Sequence, residues 1–136
     1  MAHILLLEAN PALRTLERTL LRQAEHTVLD ATTVDAALAL LRAAEGGLVV
    51  LCGNADPDYR HLVVPFFGRV ASLDHVAAEE DLVPRHRYIC LTTVPEHVPP
   101  ELAAIFRHLG VRVLKKPFYP DELLVVVAGA AAQLAR

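Results

Sequence analysis

Short apolar runs alternate with amphipathic stretches along the whole chain. Ile4 to Leu7 is a continuous apolar run, and after Asn10-Pro11 come Leu13, Leu16, Leu20 and Leu21 set among Arg14, Glu17, Arg18 and Arg22. Apolar residues three and four apart share one helix face, and Asn followed by Pro suits a capping residue and the first helical position. This segment predicts strand, then helix. His26 to Asp30 is a second short strand candidate, and Val34, Ala37, Leu38 and Leu41 mark a second amphipathic helix that stops at Gly46-Gly47. Leu48 to Cys52 is apolar at every position, as expected of a parallel strand covered by helices on both faces. Arg87 to Leu91 and Val111 to Leu114 read as a fourth and fifth strand of the same kind. Pro99-Pro100 opens a helix carrying Leu102, Ile105, Phe106 and Leu109 that ends at Gly110, and Pro120-Asp121-Glu122 opens the last. Two carboxylates in that first turn suit the positive end of the helix dipole.

Strand and helix thus alternate five times, which predicts an α/β fold with a doubly wound parallel sheet and right-handed crossovers. One stretch departs from the pattern. About forty positions separate Cys52 from Thr92, more than a single strand-to-strand connection ordinarily uses. Tyr59 to Ser72 carries Leu62, Val63, Phe66, Phe67 and Val70 at helical spacing with Pro65 interrupting, and Leu73 to Val83 is more acidic. The expectation is a kinked helix followed by an insertion, an enlarged segment between strands 3 and 4.

The size of the chain, 136 residues, fits one domain spanning 1–136 with one core. Hydrophobic residues at 54% and charged residues at 21% exclude a disordered or low-complexity chain. Thirteen Lys and Arg against sixteen Asp and Glu leave a net charge of -3, so no clustered positive charge argues for direct nucleic-acid binding. Cys52 and Cys90 are too few for a disulfide framework, and neither they nor the seven histidines have metal-ligand spacing. The N-terminal apolar run is too short for a signal peptide, and the longest apolar stretch, Leu123 to Ala132, is far short of the about twenty residues of a membrane span. A cytoplasmic protein with no membrane contact and no cofactor is the expectation.

Several segments, taken together, resemble a known family. Ile4-Leu5-Leu6-Leu7-Glu8-Ala9-Asn10-Pro11 looks like the first strand and acidic turn of the receiver domain of bacterial two-component response regulators, the CheY-like phosphoacceptor module. Val28 to Thr33 followed by Ala36-Ala37-Leu38 is similar to its second strand and helix. Leu91-Thr92-Thr93 stands where the family has its switch hydroxyl, and Lys115-Lys116-Pro117-Phe118 with Pro120-Asp121-Glu122-Leu123 is similar to its Lys-Pro-Phe motif and last helix. The resemblance covers essentially the whole length and implies a flavodoxin-like sheet of five strands in the order 2-1-3-4-5.

It also implies a phosphoacceptor pocket, and here the residues depart from the family. Phosphoryl transfer to a receiver requires an aspartate at the end of the third strand and a divalent cation that neutralises the transferring group. The aligned acceptor position is Cys52, and of the two acidic positions after the first strand Glu8 remains while the second is Ala9. Magnesium loses two of its hard oxygen ligands. Asn54 stands where the family supplies a backbone carbonyl to the metal; Thr92 and Lys116 keep their places, and Val113 replaces a switching aromatic. With the acceptor gone, Lys116 is expected to pair with Glu8. The reading is a pseudo-receiver with a vestigial pocket and no enzymatic activity, acting in signal transduction through a protein partner. Two alternatives stay open: small-ligand or thiol chemistry at a cleft around Cys52, and a displaced acceptor at Asp56 or Asp58.

The last helix is apolar all round from Leu123 to Ala132, whereas a helix lying on a sheet needs only one apolar stripe. Leu124, Val126, Val127 and Ala130 are therefore expected to form an interaction face, used for a homodimer or another partner. In the resembled family the same region commonly meets dimer and output partners.

Overall fold

The computed structural model describes residues 1–76 and 86–134, and in them strands and helices alternate along the chain. They are β1 (His3–Leu7), α1 (Pro11–Gln23), β2 (Thr27–Ala31), α2 (Val34–Ala43), β3 (Val49–Asn54), α3 (Val63–Val76), β4 (Arg87–Thr92), α4 (Pro100–Leu109), β5 (Arg112–Lys115) and α5 (Pro120–Leu134). A single 3-10 turn, Pro95–His97, precedes α4. The strands form one parallel sheet in the order β2-β1-β3-β4-β5, the doubly wound flavodoxin-like arrangement expected from the sequence.

The period-two alternation of each strand divides the core into two layers. Leu5, Leu7, Val50, Cys52 and Cys90 face one side, where α2, α3 and α4 supply Leu38, Leu41, Phe66, Phe67 and Phe106. Ile4, Leu6, Val49, Leu51 and Ile89 face the other, where α1 and α5 supply Leu21, Leu123 and Val127. Phe67 sits edge-on to Phe66, Tyr88 and Phe106 with ring centroids 5.1, 5.9 and 5.2 Å away, so α3 is anchored against both β4 and α4. The helix starts follow local chemistry. The Asn10 side chain accepts from the backbone amides of Ala12 and Leu13, and the Thr33 hydroxyl accepts from Ala36. Gly110, at φ +70, turns the chain left-handed after α4, a conformation glycine adopts without steric cost.

Two expectations change, and a third is untested. Pro65 does not interrupt a helix begun at Tyr59, because α3 starts at Val63 and places Pro65 in its first turn, where no intrahelical N–H bond is lost. The expected insertion lies outside the described residues from residue 77 to 85. β5 is not a buried central strand: it forms the edge of the sheet, and Val113 on it is 40% exposed. Among the described residues no helix is long and apolar enough to cross a membrane.

Candidate functional site

The fold gathers the sequence-predicted pocket residues at the carboxyl ends of the strands. Glu8 follows β1 directly, Cys52 and Asn54 lie in β3, Thr92 closes β4 and Lys116 follows β5. Parallel register places Leu7 beside Cys52, Asn54 beside Thr92, and Thr92 beside Lys115. The Lys116 amide also donates to the Thr92 carbonyl at 2.7 Å, which fixes the end of β5 against β4.

Lys116 and Glu8 are both buried and form an ion pair, Nζ to Oε1, at 3.2 Å. The pairing expected from the sequence is therefore present. A buried ammonium and a buried carboxylate each require a partner to offset lost hydration. The second Glu8 oxygen accepts a long bond from the Asn10 amide, 3.4 Å, and the Arg14 guanidinium donates to the Glu8 carbonyl at 3.0 Å. Gly53 provides the room: a Cβ built there would lie 2.2 Å from Glu8 Oε1, so the carboxylate occupies the space a side chain would fill.

Glu17 is the pocket residue that the sequence reading missed. Its residue type suggests a polar, solvent-facing position of α1, yet it is fully buried. Burial first, and then the charge of Glu8, push its pKa up to about 8, with Lys116 acting in the opposite direction. Glu17 is thus a neutral carboxylic acid at pH 7, beside an ion pair that is already matched one to one. A sequence signal for this existed, since Glu17 lies four residues after Leu13 and four before Leu21, in the middle of the leucine stripe.

Cys52 is completely buried, and burial raises its thiol well above the usual range; Cys90, its register partner, is pushed up to about 12 by the same cause. A thiol that stays protonated is a weak nucleophile, and burial of this kind opposes thiolate formation at Cys52. Cys52 serves as a small apolar filler facing the helical layer of α2, α3 and α4. Ala9 is half-buried against the same layer and has no side-chain oxygen to offer. The divalent cation implied by the resemblance does not fit this set of residues. One carboxylate is committed to Lys116, the other is buried and protonated, and hard cations need several oxygen donors. No group of three or more His, Cys, Asp or Glu suited to a metal occurs among the described residues.

The second half of the pocket is a neutral network. Asn54 Nδ2 donates to Thr92 Oγ1 at 3.0 Å and to the Asp56 carbonyl at 2.8 Å. Thr92 donates to the Tyr59 hydroxyl at 3.1 Å, and Tyr59 donates to the Val94 carbonyl. Asp56 Oδ1 accepts from the Asp58 amide and Oδ2 from the Arg60 amide, both at 3.0 Å, and these backbone bonds, that of Asp58 first, hold its pKa below the usual value. Asp56 is the organiser of the loop before α3, with both oxygens engaged. Asp58 is exposed at the tip of that loop.

Of the four residues expected to form an outward face on the last helix, none is exposed. Val127 and Ala130 are buried in the layer beneath α5, together with Leu123. Leu124 and Val126 lie at the margins, half-buried. The outward stripe is instead Val125, which is 69% exposed, with Ala128 and Ala132. Positions 123, 127 and 130 follow the helical period, and that stripe is the part of the helix fully buried against the sheet.

No protein-family model matches the chain, and no curated protein matches it significantly. Solved structures do. The chemotaxis response regulator CheY4 of Vibrio cholerae superposes with a TM-score of 0.67 at 21% identity, covering 96% of this chain and 98% of that one. A CheY-like response regulator receiver domain protein from Methanospirillum hungatei gives a TM-score of 0.73 at 14% identity, covering 98% and 96%. The beryllofluoride-activated NtrC4 receiver domain dimer gives 0.66 at 16% identity, covering 98% and 99%. At these identities the likeness is one of architecture, and the chain has the fold of the CheY-like receiver domains.

Proposed function

We propose that the chain is a receiver-like module of signal transduction that works by protein contact and accepts no phosphoryl group. The observation that carries this reading is the commitment of the pocket to itself. At the carboxyl ends of β1, β3 and β5 the charges are Glu8 and Lys116, paired at 3.2 Å, and the position beside Leu7 on β3 is the buried thiol of Cys52. Transfer to a carboxylate needs an acceptor in line with the donor and a cation on the transferring oxygens, and the pocket supplies neither. Such a module signals through its surface. The region formed by α4, β5 and α5 carries the large exposed apolar side chains Val113, Tyr119 and Val125, and a groove of about 420 Å³ between α4 and β5 is lined by Val98, Phe106, Val111 and Val113. Exposed apolar area of this kind is typical of a contact surface. The NtrC4 receiver was solved as a dimer, and we extend that state to this chain as a homodimer through the outward side of α5.

The direct test of the phosphorylation-independent reading is incubation with acetyl phosphate and magnesium, followed by intact-mass measurement. No adduct is expected. A stoichiometric gain of one phosphoryl group that is lost on treatment with hydroxylamine would overturn the reading and redirect attention to Asp56 and Asp58.

A further inference from the structure

Tyr59 stands apart from the other residues of the loop between β3 and α3. Its ring is completely buried in the core, although the backbone at this position has φ +61, a region that side chains with a Cβ ordinarily avoid. An outlier of this sort persists only where the surroundings hold it. What holds it is a closed set of hydrogen bonds. A threonine hydroxyl has one proton to give and two lone pairs to receive with. Thr92 gives its proton to the Tyr59 hydroxyl at 3.1 Å, and receives from Asn54 Nδ2 at 3.0 Å and from the Val94 amide at 3.2 Å. Tyr59 passes its own proton to the Val94 carbonyl, so both backbone groups of Val94 are drawn into the same ring. Every donor and acceptor position of Thr92 is used, and the loop before α3 is tied to the turn after β4.

We propose that Tyr59 is a latch that holds the Thr92 hydroxyl and the turn at Val94 in one arrangement, so that no anion entering the cleft recruits Thr92 without first displacing the Tyr59 hydroxyl. The inference rests on the reading of the module as independent of phosphoryl transfer, and supplies the reason its surface keeps one shape. The Thr92 carbonyl is bound by the Lys116 amide, so the latch also borders the Glu8–Lys116 pair, and the two halves of the pocket are immobilised together.

Two measurements test it. In the unmodified protein, three-bond couplings should report a single χ1 rotamer for Thr92; averaging over rotamers would overturn the latch. Tyr59→Phe keeps the ring and removes the hydroxyl, and should speed hydrogen exchange of the Val94 amide at least threefold while the amides of Ile89 and Cys90 in β4 keep their rates. Acceleration of less than threefold, or equal acceleration of all three, would also overturn it. Should the variant fail to fold, the rotamer measurement decides alone. The outcome is separable from the phosphorylation test: a labelled protein with a single Thr92 rotamer refutes the functional reading and leaves the latch, and an unlabelled protein with an averaging Thr92 does the reverse.

Discussion

At the scale of single residues, the pocket is governed by how many charges a buried space can hold. Glu8 and Lys116 neutralise each other, and Glu17 is a third ionisable group buried beside them, with no cation left to match it. The unfolded chain releases the Glu17 proton near 4.5, while the folded protein holds it to about 8. Between those values the folded state binds more protons, so stability falls as pH rises through this window and levels off above it. The contribution is fully present below pH 4.5 and is gone above about 8. Glu17→Gln keeps the shape and removes the titration. Chemical denaturation should therefore find the variant close to the unmodified protein at pH 4.5 and more stable by roughly 2–4 kcal/mol at pH 8. Equal stability at both pH values would mean that Glu17 is solvated. The same residue marks the limit of what the sequence disclosed about the site. Glu8, Thr92 and Lys116 were legible because each closes or directly follows a strand, where a parallel sheet delivers side chains to a common edge. Glu17 has the same residue type as many solvent-facing helix positions, and only its place within the leucine stripe distinguishes it. Tyr59 had no such signal, since its burial depends on a loop conformation that no periodicity records.

At the scale of elements, local chemistry proved more readable than environment. Asn10 caps α1 with bonds of 3.0 and 3.1 Å to the amides of Ala12 and Leu13, and Pro11 begins the helix, as the dipeptide itself suggests. Asn10→Ala should cost about 1 kcal/mol, because two amides at the start of α1 lose their acceptor. A cost below about 0.3 kcal/mol in thermal or denaturant unfolding would show that water replaces the cap. β3 and β5 make the contrasting case. β3 is buried at every position, whereas β5, with Arg112 and Lys115 at its ends, is mostly exposed, since β3 lies between β1 and β4 while β5 has a neighbour on one side alone. Strand order decided it. The apolar run of α5 was ambiguous for a related reason: every residue of the run qualifies for burial, and the phase of the helix on the sheet selects Leu123, Val127 and Ala130.

At the scale of the whole molecule, the question is what the outward side of α5 meets. Val125 is 69% exposed and Tyr119, at the start of the helix, 78%, while Val113 on the neighbouring edge strand is 40% exposed. Part of the α5 surface is already attended to within the chain: the Arg112 guanidinium lies close to Gly129, 3.6 Å from where a Cβ would stand. The remainder, from Val125 through Ala128 to Ala132, is small and smooth, suited to close approach by a second helix. A contact of one such surface with its own copy closes on a two-fold axis and leaves no open valence for further growth. Val125→Glu places a carboxylate in the centre of the contact, where desolvation and repulsion from its symmetric copy both oppose association. Sedimentation velocity across the micromolar range should show a concentration-dependent dimer for the unmodified protein and a monomer for Val125→Glu, with the same circular dichroism. The substitution is at an exposed site, so the fold itself should be indifferent to it. Ala130→Glu is the control of opposite meaning, since Ala130 is buried beneath the helix and a charge there should unfold the domain before it affects association. If the unmodified protein sediments as a monomer at high micromolar concentration, self-association fails as the use of this surface, and a protein of different sequence must be sought to cover it.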